Sequence, residues 1–267
     1  MKKDQKLSQV AKATNELSGP KQVVGSIVHA VAVLRLLSDT ESSMGVTAIA
    51  KTLGMSSSSC FNVLRTLVSE GLLEFDSRDK TYSLGLGTVE LASRALSRNN
   101  LFPFVRQRLE RIANEHELTA ILWRVSHGRR LVVVGAAESN ADLQVAVKVG
   151  YRVPLLAGGV GKCMAAFGGL TAEELSSEFD RVRTLNKSNF ETFLKDLDVV
   201  RKKGWAIDRG NFKSGVLSVA SPVFDARGAI AHCFSGVMFD ADQSEAHLDR
   251  IGSKFRELAE SIKSRNL

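Results

Sequence analysis

The residues of this chain that could do chemistry gather around a glycine-rich stretch in its second half. Residues 157–163 read Ala-Gly-Gly-Val-Gly-Lys-Cys, with the glycines and the lysine of a phosphate-binding loop. That loop also needs a glycine at position 156 and a serine or threonine at position 163, where this chain has Leu156 and Cys163. Lys162 could activate the Cys163 thiol by lowering its pKa. A small apolar residue in the first turn of a helix is the simpler interpretation of Cys163.

Other signatures of catalysis or metal binding are incomplete. Ser235 lacks the two glycines of a nucleophile elbow, because Cys233 and Val237 occupy those positions. The three cysteines lie far apart without a CxxC pair, and the five histidines show no ligand spacing. We therefore expect no catalytic residue, no cofactor and no metal. An enzyme that uses Cys163 or Asp208 stays open as an alternative.

The same glycine-rich stretch fits a small-molecule site. Gly158, Gly159 and Gly161 would expose backbone N–H groups just before a helix, where the helix dipole favours a carboxylate or another anion. A few polar groups in an apolar cavity are typical of such sites. The polar side chains expected there are Asp208, Ser218 and Ser235, and the apolar walls are Val153, Leu155, Val160 and Val216. A plain tight turn beside serines satisfied within a sheet is the alternative.

An antiparallel sheet with helices against it must position these residues, which predicts an α+β domain over residues 99–267. Strands are expected at 119–125, 131–137, 143–149, 205–208, 217–224 and 229–239. Helices are expected at 104–117, 162–167 and 243–264, with irregular backbone at 150–161. Two further helices should begin at capping boxes, formed by Thr171 with Glu174 and by Ser188 with Glu191.

The first third of the chain predicts a winged helix-turn-helix. Two short amphipathic helices, Thr47–Leu53 and Ser57–Glu70, each close on a glycine, and a hairpin-like run with a charged tip follows at 72–82. A further helix precedes them at 24–37, and a loop is expected at 39–44. In this layout the second short helix enters the major groove of DNA. The alternative is an ordinary αα-hairpin packed in some other core.

The predicted contacts with double-stranded DNA follow from that layout. The outward face of the second short helix carries Ser57, Ser58, Phe61, Asn62 and Arg65. Side chains on this face read bases, while basic side chains of the wing contact phosphates. The residues assigned to DNA are Lys51, Ser57, Ser58, Asn62, Arg65, Arg78 and Lys80.

Composition and charge limit the kind of partner and the cellular location that we expect. The net charge of +7 is compatible with a polyanionic partner. Residues 1–22 form a predicted disordered basic tail, whereas residues 23–98 hold equal numbers of basic and acidic side chains. An odd number of dispersed cysteines, no signal peptide and no long apolar run predict a cytoplasmic protein with no membrane partner. The expected domains are this tail, a DNA-binding domain at 23–86, a linker helix at 87–98, which could also form a dimer contact, and the α+β domain.

These residues together give the chain a family resemblance. It resembles the bacterial IclR-type transcriptional regulators, the isocitrate-lyase-regulator family, over nearly its full length. The matching segments are 26–37, Ile49–Gly54, 64–85, Gly150–Lys162, Gly204–Asp208 and Ser218–Asp225. No single segment is decisive, but their joint order and spacing are specific.

The resemblance implies a GAF-like C-terminal domain that binds a small, often carboxylate-bearing metabolite. It also implies a homodimer, commonly assembled into a dimer of dimers. The family's ligand positions fall on Gly159, Val160, Asp208, Ser218 and Ser235, with apolar walls at Val145, Val153 and Val216. Val237 stands where the family often has a polar residue, which suggests a more apolar effector. Ser57 and Asn62 stand where the family often has lysine and arginine, so an operator sequence does not transfer.

The resulting hypothesis is a ligand-responsive regulator whose affinity for operator DNA is modulated by a small-molecule effector. Effector binding would change the spacing of the two recognition helices, because the effector binds one of two conformational states more tightly than the other. The alternatives are a DNA-binding architectural protein without a ligand, and the enzyme that uses Cys163 or Asp208.

Overall fold

The computed structural model describes residues 24–40, 42–97, 101–126, 129–182, 189–241 and 243–263. The predicted tail at 1–22 lies outside these residues. The chain divides into two compact units, residues 1–98 and residues 99–267. No described helix has the length and apolar character needed to cross a membrane.

The first unit is a winged helix-turn-helix. Its elements are α1 (Gly25–Asp39), β1 (Met44–Gly45), α2 (Val46–Leu53), α3 (Ser57–Ser69), β2 (Leu73–Asp76), β3 (Thr81–Leu84) and α4 (Gly87–Ser97). The three strands form an antiparallel sheet in the order β1-β3-β2. Strand β1 was expected to be loop. Its two residues pair with Tyr82 and Thr81 of the wing, a long-range contact that a local pattern does not show.

Local signals place α2 and α3. Gly54 ends α2 in the left-handed conformation, with φ of 64°, and its N–H donates to the Ala50 and Lys51 carbonyls. The Ser56 side chain then caps α3 by accepting a hydrogen bond from the Ser59 N–H at 3.3 Å. Both helices therefore begin and end close to where the sequence predicts.

The second unit places one six-stranded antiparallel sheet between two layers of helices. Its strands are β4 (Thr119–Ser126), β5 (Arg130–Ala137), β6 (Arg152–Pro154), β7 (Ala206–Arg209), β8 (Val216–Phe224) and β9 (Ile230–Phe239). Its helices are α5 (Phe102–His116), α6 (Gly158–Phe167), α7 (Ala172–Arg181), α8 (Phe190–Lys203) and α9 (Glu245–Lys263). The strand order is β6-β5-β4-β9-β8-β7. This architecture confirms the predicted α+β fold class.

The two faces of this sheet have separate cores, because side chains alternate along each strand. One core packs α5 and α9 on the sheet through residues such as Leu109, Phe234 and Phe255. The other core packs α6, α7 and α8 on the opposite face and includes Cys163 and Leu197. The glycine-rich stretch belongs to this second core.

The strand predicted at 143–149 does not form. The structure records no ladder for this segment, and the edge strand of the sheet is β6, which pairs with β5. The segment is anchored instead by its Val145 carbonyl, which accepts a hydrogen bond from Thr119 Oγ1 at 2.8 Å. An extended strap with one side turned inward produces the same alternation as a strand, which explains the wrong prediction.

The helix predicted at 162–167 begins earlier, at Gly158. Three glycines lower helix propensity, but packing overrides that preference here. A Cβ atom on Gly161 would lie 2.0 Å from the carbonyl carbon of Leu156, so only glycine fits this close approach. The glycines expected just before the helix therefore form its first turn.

The two capping predictions differ in outcome. Thr171 and Glu174 form the expected reciprocal capping box at the start of α7. The cap of α8 is Asn189, whose Oδ1 accepts a hydrogen bond from the Thr192 N–H at 2.7 Å. The predicted cap, Ser188, lies outside the described residues. Asparagine caps as well as serine does, so neighbouring polar residues compete for this role.

Candidate functional site

The buried face of α3 fixes which of its side chains face solvent. Cys60, Leu64 and Leu67 are 0%, 0% and 6% exposed, and they pack against α1 and α2. A helix that buries one stripe must turn the opposite stripe outward. The predicted residues on that exposed side are Ser57, Ser58, Asn62 and Arg65. Lys51 is exposed as well, in the last turn of α2.

The serine hydroxyls at the start of α3 form hydrogen bonds with one another. Ser56 Oγ lies 2.9 Å from Ser59 Oγ and 3.3 Å from Ser58 Oγ. These hydroxyls therefore serve the cap of the helix, a role in addition to any contact with a partner. The sequence predicts a serine cap but not which hydroxyls bond to each other.

The wing ends in a turn that its own side chains organise. Asp76 Oδ1 accepts a hydrogen bond from the Arg78 N–H at 2.7 Å, which closes the tip as an Asx turn. Phe75 packs on Tyr82 with ring centroids 4.8 Å apart, and Lys80 Nζ lies 5.9 Å from the Phe75 centroid. The two basic side chains assigned to phosphate contacts, Arg78 and Lys80, are both exposed.

The second unit contains a cavity of about 640 Å³ between the sheet, the first turn of α6 and the strap at 141–149. Nine of the ten side chains or glycines predicted for the effector line it: Val145, Val153, Gly159, Val160, Asp208, Val216, Ser218, Ser235 and Val237. The tenth, Leu155, does not line it. Leu155 is 2% exposed and packs in the core beneath α6, because the backbone turns there to begin the helix.

Two cross-strand rows form the floor of this cavity. Asp208 pairs with Ser218, and Ser218 pairs with Val237, so the three side chains share one face of the sheet. The next row on the same face pairs Ile121 with Ser235. Strand register therefore assembles residues that are far apart in sequence.

The first turn of α6 rests directly on this floor. The Gly159 N–H donates to Ser218 Oγ at 3.0 Å, and a Cβ atom on Gly159 would lie 3.2 Å from that oxygen. The capping position, Ala157, offers no side-chain hydrogen bond. The positive end of the helix dipole thus faces the cavity, which suits an anionic group.

The buried polar groups of the floor have specific partners. Asp208 is 4% exposed, and its Oδ2 accepts a hydrogen bond from the Phe212 N–H at 3.1 Å. Ser235 Oγ accepts a hydrogen bond from Trp123 Nε1 at 2.7 Å. Each group keeps further hydrogen-bonding capacity toward the cavity, since a carboxylate accepts several bonds and a hydroxyl can also donate.

Several lining residues were missed by sequence reasoning. Trp123, Lys148, Tyr151, Phe212 and Lys213 all contribute to the cavity wall. Lys148 belongs to the strap, which the sequence misassigned as a strand, and Tyr151 lies at its exit, where the backbone is irregular as predicted. The alternation of Val145 and Val147 was the available signal that one side of this segment faces inward.

Lys162 and Cys163 do not form a reactive pair. Lys162 Nζ donates to Asp196 Oδ2 at 2.7 Å and to the Ile207 carbonyl at 3.0 Å. Cys163 is 0% exposed, and its thiol contacts the Ala220 carbonyl at 3.4 Å. Burial raises the pKa of the Cys163 thiol well above its ordinary value, with a smaller contribution from Cys233. The thiol is therefore protonated and inaccessible. Across the described part of the chain, no three metal-ligating side chains cluster.

Known proteins share both halves of this architecture. A family model described as the IclR helix-turn-helix domain matches residues 26–77, and one described as bacterial transcriptional regulator IclR, C-terminal, matches residues 93–264. A glycerol operon regulatory protein of Streptomyces griseus is 30% identical over 206 residues, covering 76% of this chain and 80% of that protein. The regulator KdgR of Dickeya chrysanthemi is 24% identical over 94% of this chain and 84% of its own length.

Solved structures agree. An IclR transcriptional regulator from Alicyclobacillus acidocaldarius is 27% identical, with a TM-score of 0.78 over 91% of this chain and 98% of that chain. An IclR homologue from Microbacterium hydrocarbonoxydans, complexed with 4-hydroxybenzoate, is 19% identical and shares the fold with a TM-score of 0.74 over 90% of this chain and 98% of that chain. Since the C-terminal family model alone covers more than half of the sequence, this chain belongs to the IclR family of bacterial transcriptional regulators.

Proposed function

We propose that this regulator controls its operator in response to a small carboxylate-bearing effector bound in the 640 Å³ cavity. The single observation that carries the proposal is the floor of that cavity, where Asp208, Ser218 and Ser235 face an otherwise apolar space beside the first turn of α6. A few convergent polar groups in an apolar cavity orient a ligand, and the apolar walls supply most of the affinity.

The positive groups around the cavity support an acid with an apolar body, and the Asp208 carboxylate repels an anionic group placed next to it. The α6 N-terminus and the rim residues Lys148 and Lys213 favour a carboxylate. The apolar part of the cavity wall carries Val145, Val153 and, beside Ser218, Val237, which offer no hydrogen bond. A strongly polar ligand would leave its groups unpaired against this wall, at a cost in affinity.

The first unit supplies contacts to operator DNA in this proposal. Ser57, Ser58, Asn62 and Arg65 approach base edges, whereas Lys51, Arg78 and Lys80 contact the phosphate backbone. The site of action is then the bacterial cytoplasm, where the operator lies.

A second copy of the chain completes the DNA-binding surface in this proposal. Helix α1 exposes a row of apolar side chains, with Val24, Ile27, Val28 and Val31 between 38% and 62% exposed. An apolar row of this kind on a helix is suited to an isologous contact with the same row of a second chain. The proposed assembly is a homodimer, which can pair further into a dimer of dimers. Effector binding then favours one spacing of the two recognition helices over another.

The alternatives receive less support. An enzyme would need a reactive group at the cavity, but Cys163 does not line it, and the Asp208 carboxylate accepts a hydrogen bond from the Phe212 N–H. The homologues are regulators. An architectural DNA-binding protein without a ligand does not need a cavity. It would not need one lined by a buried carboxylate and two buried or half-buried serines.

Two serines of strand β8 provide the test. Ser218 faces the cavity, whereas Ser221 is 1% exposed, donates to the Gly204 carbonyl and faces the opposite layer. Ser218→Ala and Ser221→Ala each remove one hydroxyl and should cost a similar amount of stability, about 1 kcal/mol. Thermal melting of the full-length protein is measured with a panel of aliphatic and aromatic monocarboxylates and their uncharged amides.

The wild type should be stabilised by an acid of the panel and not by its amide. A ligand at ~100 times its Kd adds about 2.7 kcal/mol. Ser221→Ala should keep the response, and Ser218→Ala should lose most of it. Equal responses of the two variants would place the ligand elsewhere. No response of the wild type to any acid would favour the architectural alternative.

A further inference from the structure

Helix α3 exposes one large apolar side chain, Phe61. Its ring is 48% exposed, whereas Cys60, Leu64 and Leu67 of the same helix are at most 6% exposed. Phe61 does not belong to the core of the first unit, and neither does it pack on another ring among the described residues. Exposing a phenyl ring to water is unfavourable, so this position calls for a partner outside the unit.

Another exposed phenylalanine of the same unit shows the contrast. Phe75 is 42% exposed, but its ring packs on Tyr82 and carries Lys80 over its face. Phe75 therefore has a structural role in the wing. Phe61 has no comparable role in the described structure.

The position of Phe61 along α3 indicates what that partner is. Phe61 is the fifth residue of the helix, so it lies in the N-terminal half that contacts base edges in a helix-turn-helix protein. Ser57 and Arg65 lie four residues before and after it on the same face, and both are exposed. Phe61 thus stands in the middle of the surface that enters the groove.

The short serine side chains next to Phe61 on α3 cannot reach as far into the groove as the phenyl ring. Ser58 and Ser59 extend one bond beyond Cβ, and their hydroxyls lie within hydrogen-bonding distance of Ser56 Oγ at the cap. The phenyl ring projects beyond them, and it has neither a donor nor an acceptor. It cannot read the hydrogen-bonding pattern of a base pair.

The major groove offers one apolar group, the C5 methyl of thymine. We infer that Phe61 reads a thymine methyl in the operator and is a specificity-determining residue of this regulator. Each half-site of a dimer's operator then contains one thymine whose methyl group packs on Phe61.

The geometry of α3 also sets the distance between the contacts made by Phe61 and by Arg65. Arg65 lies about 6 Å further along the helix axis, because each residue rises about 1.5 Å. An arginine in the major groove pairs most often with guanine. Base pairs are spaced by about 3.4 Å along the DNA axis, so the thymine read by Phe61 and a guanine read by Arg65 lie at most about two base pairs apart.

The inference rests on the proposed operator recognition by α3, and it is tested with uracil. A duplex is first selected by the full-length protein from a random-sequence pool. Each thymine of that duplex is then replaced in turn by uracil, which removes only the C5 methyl. Dissociation constants are measured at one fixed salt concentration for the wild type, Phe61→Ala, Phe61→Leu and Phe104→Ala. Phe104 is 66% exposed in the second unit and serves as the matched control.

One thymine per half-site should matter to the wild type. Its replacement by uracil is expected to weaken binding about fourfold, the ratio that one buried methyl-sized group is worth. Phe61→Ala should bind the thymine and uracil duplexes equally. Phe61→Leu keeps an apolar side chain and should retain part of the difference, and Phe104→Ala should retain all of it.

Three results would overturn the inference, in two distinguishable ways. A wild type that enriches a sequence but tolerates uracil at every position removes the role of Phe61 alone. The same holds if Phe61→Ala keeps the full preference for thymine. A wild type that enriches no sequence from the pool contradicts operator recognition as a whole, and the role of Phe61 with it.

Discussion

The two units of this regulator present their candidate sites in opposite ways. The candidate DNA-contacting residues of the first unit come from one contiguous stretch, 51–80, and every one of them is exposed. The cavity of the second unit draws on residues from Ile121 to Val237, and its central carboxylate, Asp208, is 4% exposed. A surface that meets a large polyanion must be reachable, whereas a site for a small molecule gains affinity by excluding water.

This difference has a consequence for how each site tolerates change. An exposed side chain can be replaced at little cost to folding, because it contacts few neighbours. A residue in the wall of a buried cavity also supports the core around it. Substitutions in the first unit should therefore separate DNA binding from stability, and substitutions in the second unit should often affect ligand binding and stability together.

The largest effect is expected at Gly161. In Gly161→Ala the new Cβ atom meets the Leu156 backbone at 2.0 Å, so the start of α6 and the turn before it must move apart. We expect the second unit to lose about 3 kcal/mol of unfolding free energy, the upper end of the usual cost of overpacking, and effector-dependent stabilisation with it. Urea unfolding followed by circular dichroism measures the loss.

Gly25→Ala is the matched control in the first unit. Nothing lies within 4 Å of the Cβ atom that this change adds, so stability should stay within about 0.5 kcal/mol of the wild type. If Gly161→Ala were as stable as the wild type, the close contact between α6 and Leu156 would not be a constraint on the cavity.

A neighbouring pair on α3 gives the next largest effect. Leu64 is 0% exposed, and Leu64→Ala should destabilise the first unit by about 3 kcal/mol. Arg65 is exposed, and Arg65→Ala should leave the melting temperature unchanged while weakening operator binding roughly 10- to 100-fold. Thermal melting and gel-shift titration separate the two effects. Unchanged operator affinity in Arg65→Ala would remove that residue from the site.

Acid should destabilise the second unit through a buried histidine, His116, and a half-buried one, His232. Burial lowers the pKa of His232 from 6.5 to about 4, with a smaller contribution from Arg124, and burial lowers the pKa of His116 as well. The folded state favours neutral imidazole, so between pH 6.5 and about 4 the unfolded chain binds protons that the folded chain does not. Stability is therefore full above that window and falls as the pH drops through it, by about 2 kcal/mol for His232.

Unfolding free energies measured between pH 7 and pH 4 test this effect. His232→Gln should flatten part of the pH dependence, and His116 accounts for a further part. The control is His29→Gln, which replaces an exposed histidine of α1 and should keep the full pH dependence. A His232→Gln protein with the wild-type pH profile would contradict the assignment.

The first unit was predictable because its signals are local. Gly54, with its left-handed conformation, and Ser56, with its capping hydroxyl, act over three or four residues, so the helix boundaries can be read directly from the sequence. The error in this unit was β1, which exists only because Met44 and Gly45 pair with the wing. No local pattern encodes a two-residue strand.

The second unit was predictable in outline only. The hairpin of β8 and β9 and the capping box at Thr171 follow from short motifs. The strap at 141–149 alternates like a strand but joins no ladder of the described sheet, and α6 begins in a glycine run that propensity alone would leave irregular. In both places tertiary packing outweighs local preference. Leu155 was misplaced for the same reason, since the start of α6 turns it into the core.

The sequence by itself determined the winged helix, the residue types that face outward from α3, the α+β class and, through the family resemblance, nine of the residues that line the cavity. Only the tertiary structure decided that Asp208, Ser218 and Val237 share one row, that Lys162 bonds to Asp196 instead of activating Cys163, and that Leu155 packs in the core instead of lining the cavity. The physical reason is the distance along the chain over which each kind of interaction acts. Capping, turns and amphipathic periodicity act within a few residues, whereas strand register, burial and the closure of a cavity depend on partners far away in the chain.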